Sequence, residues 1–196
     1  MKYPLLAIGA ALFAGCLFAQ SAGKTPVPWN EVSTRHERPS LVPAHLSNAR
    51  RKALETMMRH DSGFGGTWDC SPEEMDELFA GLQLKSIDVA AGHDVVLMEA
   101  GQGCARGGQG SNGAMWLVRF DGDTPSFIAT PAEEFSGWLY SIQPAESHGY
   151  RDIVLGWHMS AGEFGLSYFR FDGKVYRQIG SAIAKVDGDE TTITPK

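Results

Sequence analysis

Two stretches decide the fold: Trp116-Leu117-Val118-Arg119-Phe120-Asp121-Gly122 and Ser167-Tyr168-Phe169-Arg170-Phe171-Asp172-Gly173. Each is a run of β-forming residues that ends in Asp-Gly, a pair that readily adopts the positive φ of a hairpin turn. Each therefore reads as a strand entering a tight antiparallel connection. Alternate side chains of a strand leave opposite faces. Trp116, Val118 and Phe120 then share a core face, matched by Ser167, Phe169 and Phe171. Arg119 and Arg170, with Leu117 and Tyr168, take the other face.

The match extends outward from these strands. Leu84-Lys85-Ser86-Ile87 precedes the first and Leu139-Tyr140-Ser141-Ile142 the second; Asp94-Val95-Val96-Leu97 answers Asp152-Ile153-Val154-Leu155. The blocks keep their order at offsets of 55, 58 and 51 residues, and a period of this size signals an internal repeat. Ser71-Pro72-Glu73-Glu74 and Thr130-Pro131-Ala132-Glu133 open the two copies. Each has a Ser/Thr cap, proline at the first helical position and glutamate or its equivalent three residues on, the pattern of a capping box. The expected fold is mainly β (α+β): a tandem duplication of a short helix plus a four-stranded antiparallel meander. The copies span about 71–129 and 130–184. They share one sheet or face each other as a sandwich.

The N-terminal part differs in character. Residues 1–19 hold one cation, Lys2, and an apolar run from Pro4 to Ala19, the pattern of a cleavable secretory signal. At fewer than the roughly 20 apolar residues a spanning helix needs, it does not read as a membrane anchor. Phe13-Ala14-Gly15-Cys16 offers a second processing mode, a lipobox with Cys16 as the lipid-modified residue. Residues 20–44 carry Pro26, Pro28, Pro39 and Pro43 and read as an irregular lead-in, with Trp29 able to pin it to the body. Residues 46–59 carry an apolar stripe at helical spacing and read as an N-terminal helix capped by Ser47. Residues 45–196 form one duplicated domain.

A net charge of −6 argues against a nucleic-acid partner, which calls for a basic stripe. Cys70 and Cys104 are the pair left after the signal, and in an oxidising compartment they read as a disulfide. Cys104 lies in the segment 101–113, which holds six glycines and reads either as a binding loop anchored by the disulfide or as a long hairpin connection. Asp187-Gly188-Asp189-Glu190 reads as a turn near a frayed end.

The segment Gly149 to Gly156, continued by Tyr168 to Tyr176, resembles the blades of FG-GAP/VCBS-type β-repeat proteins. That resemblance implies an exported adhesion or binding module. The spaced-aspartate calcium loop of that family is absent before Asp152, and no cofactor or metal is expected. The order of elements is also similar to that of secreted β-lactamase-inhibitory proteins, which implies an inhibitor.

Arg119, Tyr168 and Arg170 are the candidate binding residues, because arginine and tyrosine are enriched in binding centres. The partner expected is a protein or glycan outside the cytoplasm. The competing reading is a small secreted hydrolase in which His158 and Glu163 act with Ser160. The spacing there matches no zinc signature, and no Gly-x-Ser-x-Gly elbow occurs.

Overall fold

The computed structural model describes residues 26–35, 39–60, 70–101, 104–105, 112–188 and 190–196. Residues 1–19, including Cys16, and most of the glycine-rich segment lie outside the described residues.

The chain is mainly β. Among the described residues two helices, α1 (Asn48–His60) and α2 (Pro72–Gly81), precede most of the strands. These are β1 (Val42–Pro43), β2 (Leu82–Ser86), β3 (Asp94–Ala100), β4 (Gly113–Asp121), β5 (Thr124–Ala129), β6 (Ser136–Ser147), β7 (Tyr150–Ser160), β8 (Glu163–Phe171), β9 (Tyr176–Asp187) and β10 (Glu190–Pro195). They form one antiparallel sheet in the order β1-β2-β3-β4-β6-β7-β8-β9-β10, with β5 paired to β4. The seam between the halves is narrow: β4 meets β6 only at Gly113–Gly137 and Ala114–Ser136.

Both helix starts follow from local chemistry. Ser47 Oγ accepts from the Arg50 amide at 3.2 Å. At α2, Ser71 Oγ accepts from Glu74 N and Glu74 Oε2 accepts from Ser71 N at 2.8 Å, so two of the four amides left over at a helix start are satisfied. The second capping box, Thr130 with Glu133, is also formed, but it opens only a single 3-10 turn, Pro131–Glu133. Glu134 follows at φ 64° and ends the turn.

Burial sorts the strands into three layers. Val95, Leu97, Met115 and Leu117 of the first half share one core with Leu139, Ile153, Leu155 and Phe169 of the second. The opposite face of the first half, through Val96, Trp116, Val118 and Phe120, packs on Leu54 and Met58 of α1 and Leu78 of α2. The opposite face of the second half, through Val154, Leu166 and Tyr168, is covered by Val27, Trp29 and Val32 of the lead-in. Trp29 meets the Tyr168 ring edge-on at 5.6 Å, and Tyr140 donates its hydroxyl to the Ser33 carbonyl at 2.7 Å.

Two expectations change here. The C-terminal segment is not a frayed end: Glu190–Pro195 pairs along β9 from Asp187 to Ala182. The alternating Thr191-Thr192-Ile193-Thr194 suits a half-buried strand. The triplet Trp116, Val118, Phe120 does not share a face with Phe169 and Phe171; the first faces the helices and the second the shared core. The reason is register. Val95 lies opposite Arg119, whereas Ile153, the sequence counterpart of Val95, lies opposite Phe169 rather than Arg170. A slip of one residue turns a strand over. Arg50 of α1 is engaged within the protein. It bonds Asp94, lies 3.5 Å from Asp123, and stacks 4.9 Å over the Phe120 ring.

The disulfide Cys70–Cys104 is formed, with Cα atoms 5.8 Å apart. It ties the N-terminus of α2 to the segment between β3 and β4.

Candidate functional site

The three candidate binding residues do not form one surface. Arg119 and Arg170 stand on opposite faces because of the register slip, and Tyr168 is fully buried beneath the lead-in. Each arginine is engaged within the protein. Arg119 donates to Tyr150 Oη at 3.5 Å and pairs with Asp121 at 3.2 Å. Arg170 grips Asp152 with Nη2–Oδ2 at 2.7 Å and Nε–Oδ2 at 3.0 Å. Asp152 has no solvent exposure, so this guanidinium compensates a buried carboxylate. The hydrogen bond to Asp152 raises the Arg170 pKa above its ordinary value despite partial burial. Burial, reinforced by the Asp152 charge, pushes the Tyr168 phenol up.

The hydrolase residues sit at the far end of β7 and the start of β8. His158 and Ser160 are exposed, and Glu163 pairs with Lys185 at 3.0 Å. The His158 backbone is held by Asn112, whose Oδ1 accepts from His158 N at 2.7 Å and whose Nδ2 donates to His158 O at 3.3 Å. Asn112 thus continues the ladder for β7 where β6 has ended. Among the described residues no three His, Cys, Asp or Glu side chains cluster to hold a metal.

Clefts open instead on both sides of the seam. The first, of about 290 Å³, is lined by Gln83, Lys85 and Glu99 of the first half, by Leu41 of the lead-in, and by Gly137, Trp138 and Leu139 of β6. Lys85 and Glu99 form an ion pair in it, each about a quarter to a third exposed. Leu84 packs toward the helices, so alternation sends Gln83 and Lys85 to the inner side. The inner face of the first half is therefore apolar along most of its length and polar at this end. Close approach of β6 and β7 leaves no room for a side chain at residue 137. Gly137 has φ 108°, and a Cβ there would lie 2.1 Å from the Gly156 carbonyl oxygen.

The second cleft, of about 330 Å³, lies on the other side of residues 134–139. It is lined by Glu134, Ser136, Trp157, Ser167, Gln178, Ser181 and Lys196. A shallower opening of about 460 Å³ adjoins it and shares Glu134, Gln178, Ser181 and Lys196. Ser167 and Ser181 face each other across β8 and β9. The Trp157 indole lies flat across Gly165, where a Cβ would come within 2.0 Å of the ring. The Gln178 side-chain oxygen is buried and accepts no hydrogen bond among the described residues.

Sequence reasoning missed both clefts. The available signals were the lone glycine at 165 opposite Trp157, and serine at 167 inside an otherwise apolar strand. No family model matches the chain, and no curated protein or solved structure matches it.

Proposed function

We propose that this chain is an exported, non-enzymatic binding protein that takes a small polar ligand in the clefts at the seam. One observation carries the reading. Both inner faces, apolar through the core, end in hydrogen-bonding side chains around open space, the combination of concave site and few convergent polar groups that marks ligand pockets. Export is supported by the apolar N-terminal run behind Lys2 and by the disulfide, which suits an oxidising compartment. We also infer that the halves descend from one duplicated unit. The conserved order of blocks and the paired capping boxes support this, and the register slip is a later divergence.

The hydrolase reading has less support. His158 and Ser160 line none of the three clefts, and Glu163 is tied to Lys185. The test is a thermal-shift survey of the exported protein against neutral sugars, amino acids, short peptides, nucleotides and inorganic anions. At least one class is expected to raise the midpoint by mass action. Ester, peptide and glycoside substrates are expected to show no turnover that His158→Ala removes. Such a turnover would overturn the proposal, as would a survey in which no class shifts the midpoint.

A further inference from the structure

The second cleft has a chemical character that narrows its ligand, granted the binding reading above. Its floor is built by an irregularity in β9. Tyr176 points into the shared core, so Gln178, two residues on, faces the same inner side. Ser181, of opposite parity, would face outward in a regular strand. The register shift opposite Tyr168 and Phe169 makes Ile179 the extra residue and returns Ser181 to the inner side, opposite Ser167. Such bulges re-aim side chains. Here the bulge puts an amide and a pair of hydroxyls side by side on one patch of sheet.

The Gln178 oxygen in that patch is buried without a donor. Buried acceptors in folded proteins are almost always paired, and an exception asks for an explanation. A ligand that brings a donor to this oxygen supplies one. Trp157 forms the wall. Its ring is seated on Gly165 with no room for a Cβ beneath it, so the indole is a fixed plate and not a mobile side chain.

The charged lining residues are Glu134 and Lys196, one of each sign. The remaining groups are hydroxyls, which donate and accept, and a neutral amide. A partner must therefore be uncharged, rich in hydroxyls, and possess one apolar face to lie against an indole. An anion would lack a cationic floor, and an apolar ligand would leave the serines and Gln178 without partners. We infer that the cleft binds the ring of a neutral saccharide, with the C–H face of the sugar on Trp157 and its hydroxyls on Ser167, Ser181 and Gln178.

The test uses the full exported chain with its disulfide intact. Glucose, galactose, N-acetylglucosamine, maltose, cellobiose and lactose are titrated by calorimetry and by tryptophan fluorescence. At least one is expected to saturate at a single site. Trp157→Ala and Gln178→Leu are each expected to weaken it by about tenfold or more, a change of about 1.4 kcal/mol or more. Gln178→Leu removes a buried unpaired acceptor, so its thermal midpoint is expected to hold or rise while affinity falls. A purely structural glutamine would not give that combination. Lys52→Ala, on the exposed side of α1 and outside every cleft, is expected to bind as the parent does. Should Trp157→Ala fail to fold, Gln178→Leu and Ser181→Val carry the test. The inference is overturned if no sugar saturates, or if the folded cleft variants bind like the parent. A negative sugar panel beside a positive shift from peptides, nucleotides or anions overturns the saccharide assignment and leaves the binding reading standing.

Discussion

Replacing Arg170 with alanine is expected to destabilise the protein by about 3 to 4 kcal/mol. Asp152 is sealed from solvent, and Arg170 holds it through contacts at 2.7, 3.0 and 3.3 Å. Removing one partner of a buried pair typically costs about 3 to 5 kcal/mol, because a charge is left alone in a poorly polarisable interior. For a chain of this length each kcal/mol moves the thermal midpoint by about 2 to 4 °C, so the loss is about 6 to 16 °C. The double variant Asp152→Leu/Arg170→Met should lose less than Arg170→Met alone, since paired charges can be exchanged for apolar groups at small cost. Urea unfolding at pH 7 measures these variants. An Arg170→Ala variant within about 1 kcal/mol of the parent would refute the reasoning.

Removing the Cys70–Cys104 bond, which spans 34 residues of sequence, is expected to cost about 3 to 4 kcal/mol in the chain-entropy view; a Cys70→Ser/Cys104→Ser variant compared by urea midpoint checks it. Asp172 accepts from the Val175 and Lys174 amides at 2.8 Å each and sits 3.3 Å from Arg177 Nε. The Val175 bond first, then those from Lys174 and Arg177, hold its pKa below the ordinary value. Its contribution is present above the unfolded aspartate pKa and is lost as pH falls through the lower folded one. Asp172→Ala should therefore be less stable than the parent at neutral pH, and the two should converge in acid, as read from unfolding midpoints across that range. Gly137→Ala, at φ 108° and with its Cβ facing the Gly156 carbonyl, should lose at least about 1 to 3 kcal/mol from strained backbone. It should also loosen the β6–β7 pairing at Trp138 and Gly156, which faster amide exchange at Gly156 would report.

Elements set by local chemistry were legible in the sequence. Ser71-Pro72-Glu73-Glu74 dictates the start of α2, because cap, proline and glutamate act within four residues. The strands around Trp116 and Phe169 follow from composition and from Asp-Gly turns. Their pairing across the two halves was legible only in order. The facing of Arg119 and Arg170 was not, because it depends on a single-residue offset between β3–β4 and β7–β8. Matching motifs by sequence assumes a common register, and nothing within Arg-Phe-Asp-Gly reveals which partner residue lies opposite. The lead-in shows the same limit. Trp29 was legible as an anchor, but its seat on Tyr168 was not, and that seat turns an expected recognition residue into core.

The clefts were illegible for a related reason. A strand residue reads as inward or outward by parity, and parity holds only while the ladder is regular. Gln178 and Ser181, three residues apart, would be assigned to opposite faces. The extra residue at Ile179 brings them to one. The sequence carries traces of this: Gly165 opposite Trp157, and serine at both 167 and 181. Each alone resembles an ordinary weak point in a strand, where glycine and serine are poor β-formers. Together, at paired register positions, they are better explained as selection for space and hydroxyls than as defects, since an apolar pair at 167 and 181 would extend the core of Leu155 and Phe169 at no conformational cost. Ser167→Val/Ser181→Val should accordingly stabilise the fold and close the second cleft. A marked loss of stability in that variant would mean that the serines serve packing, and that the polar patch has a structural origin.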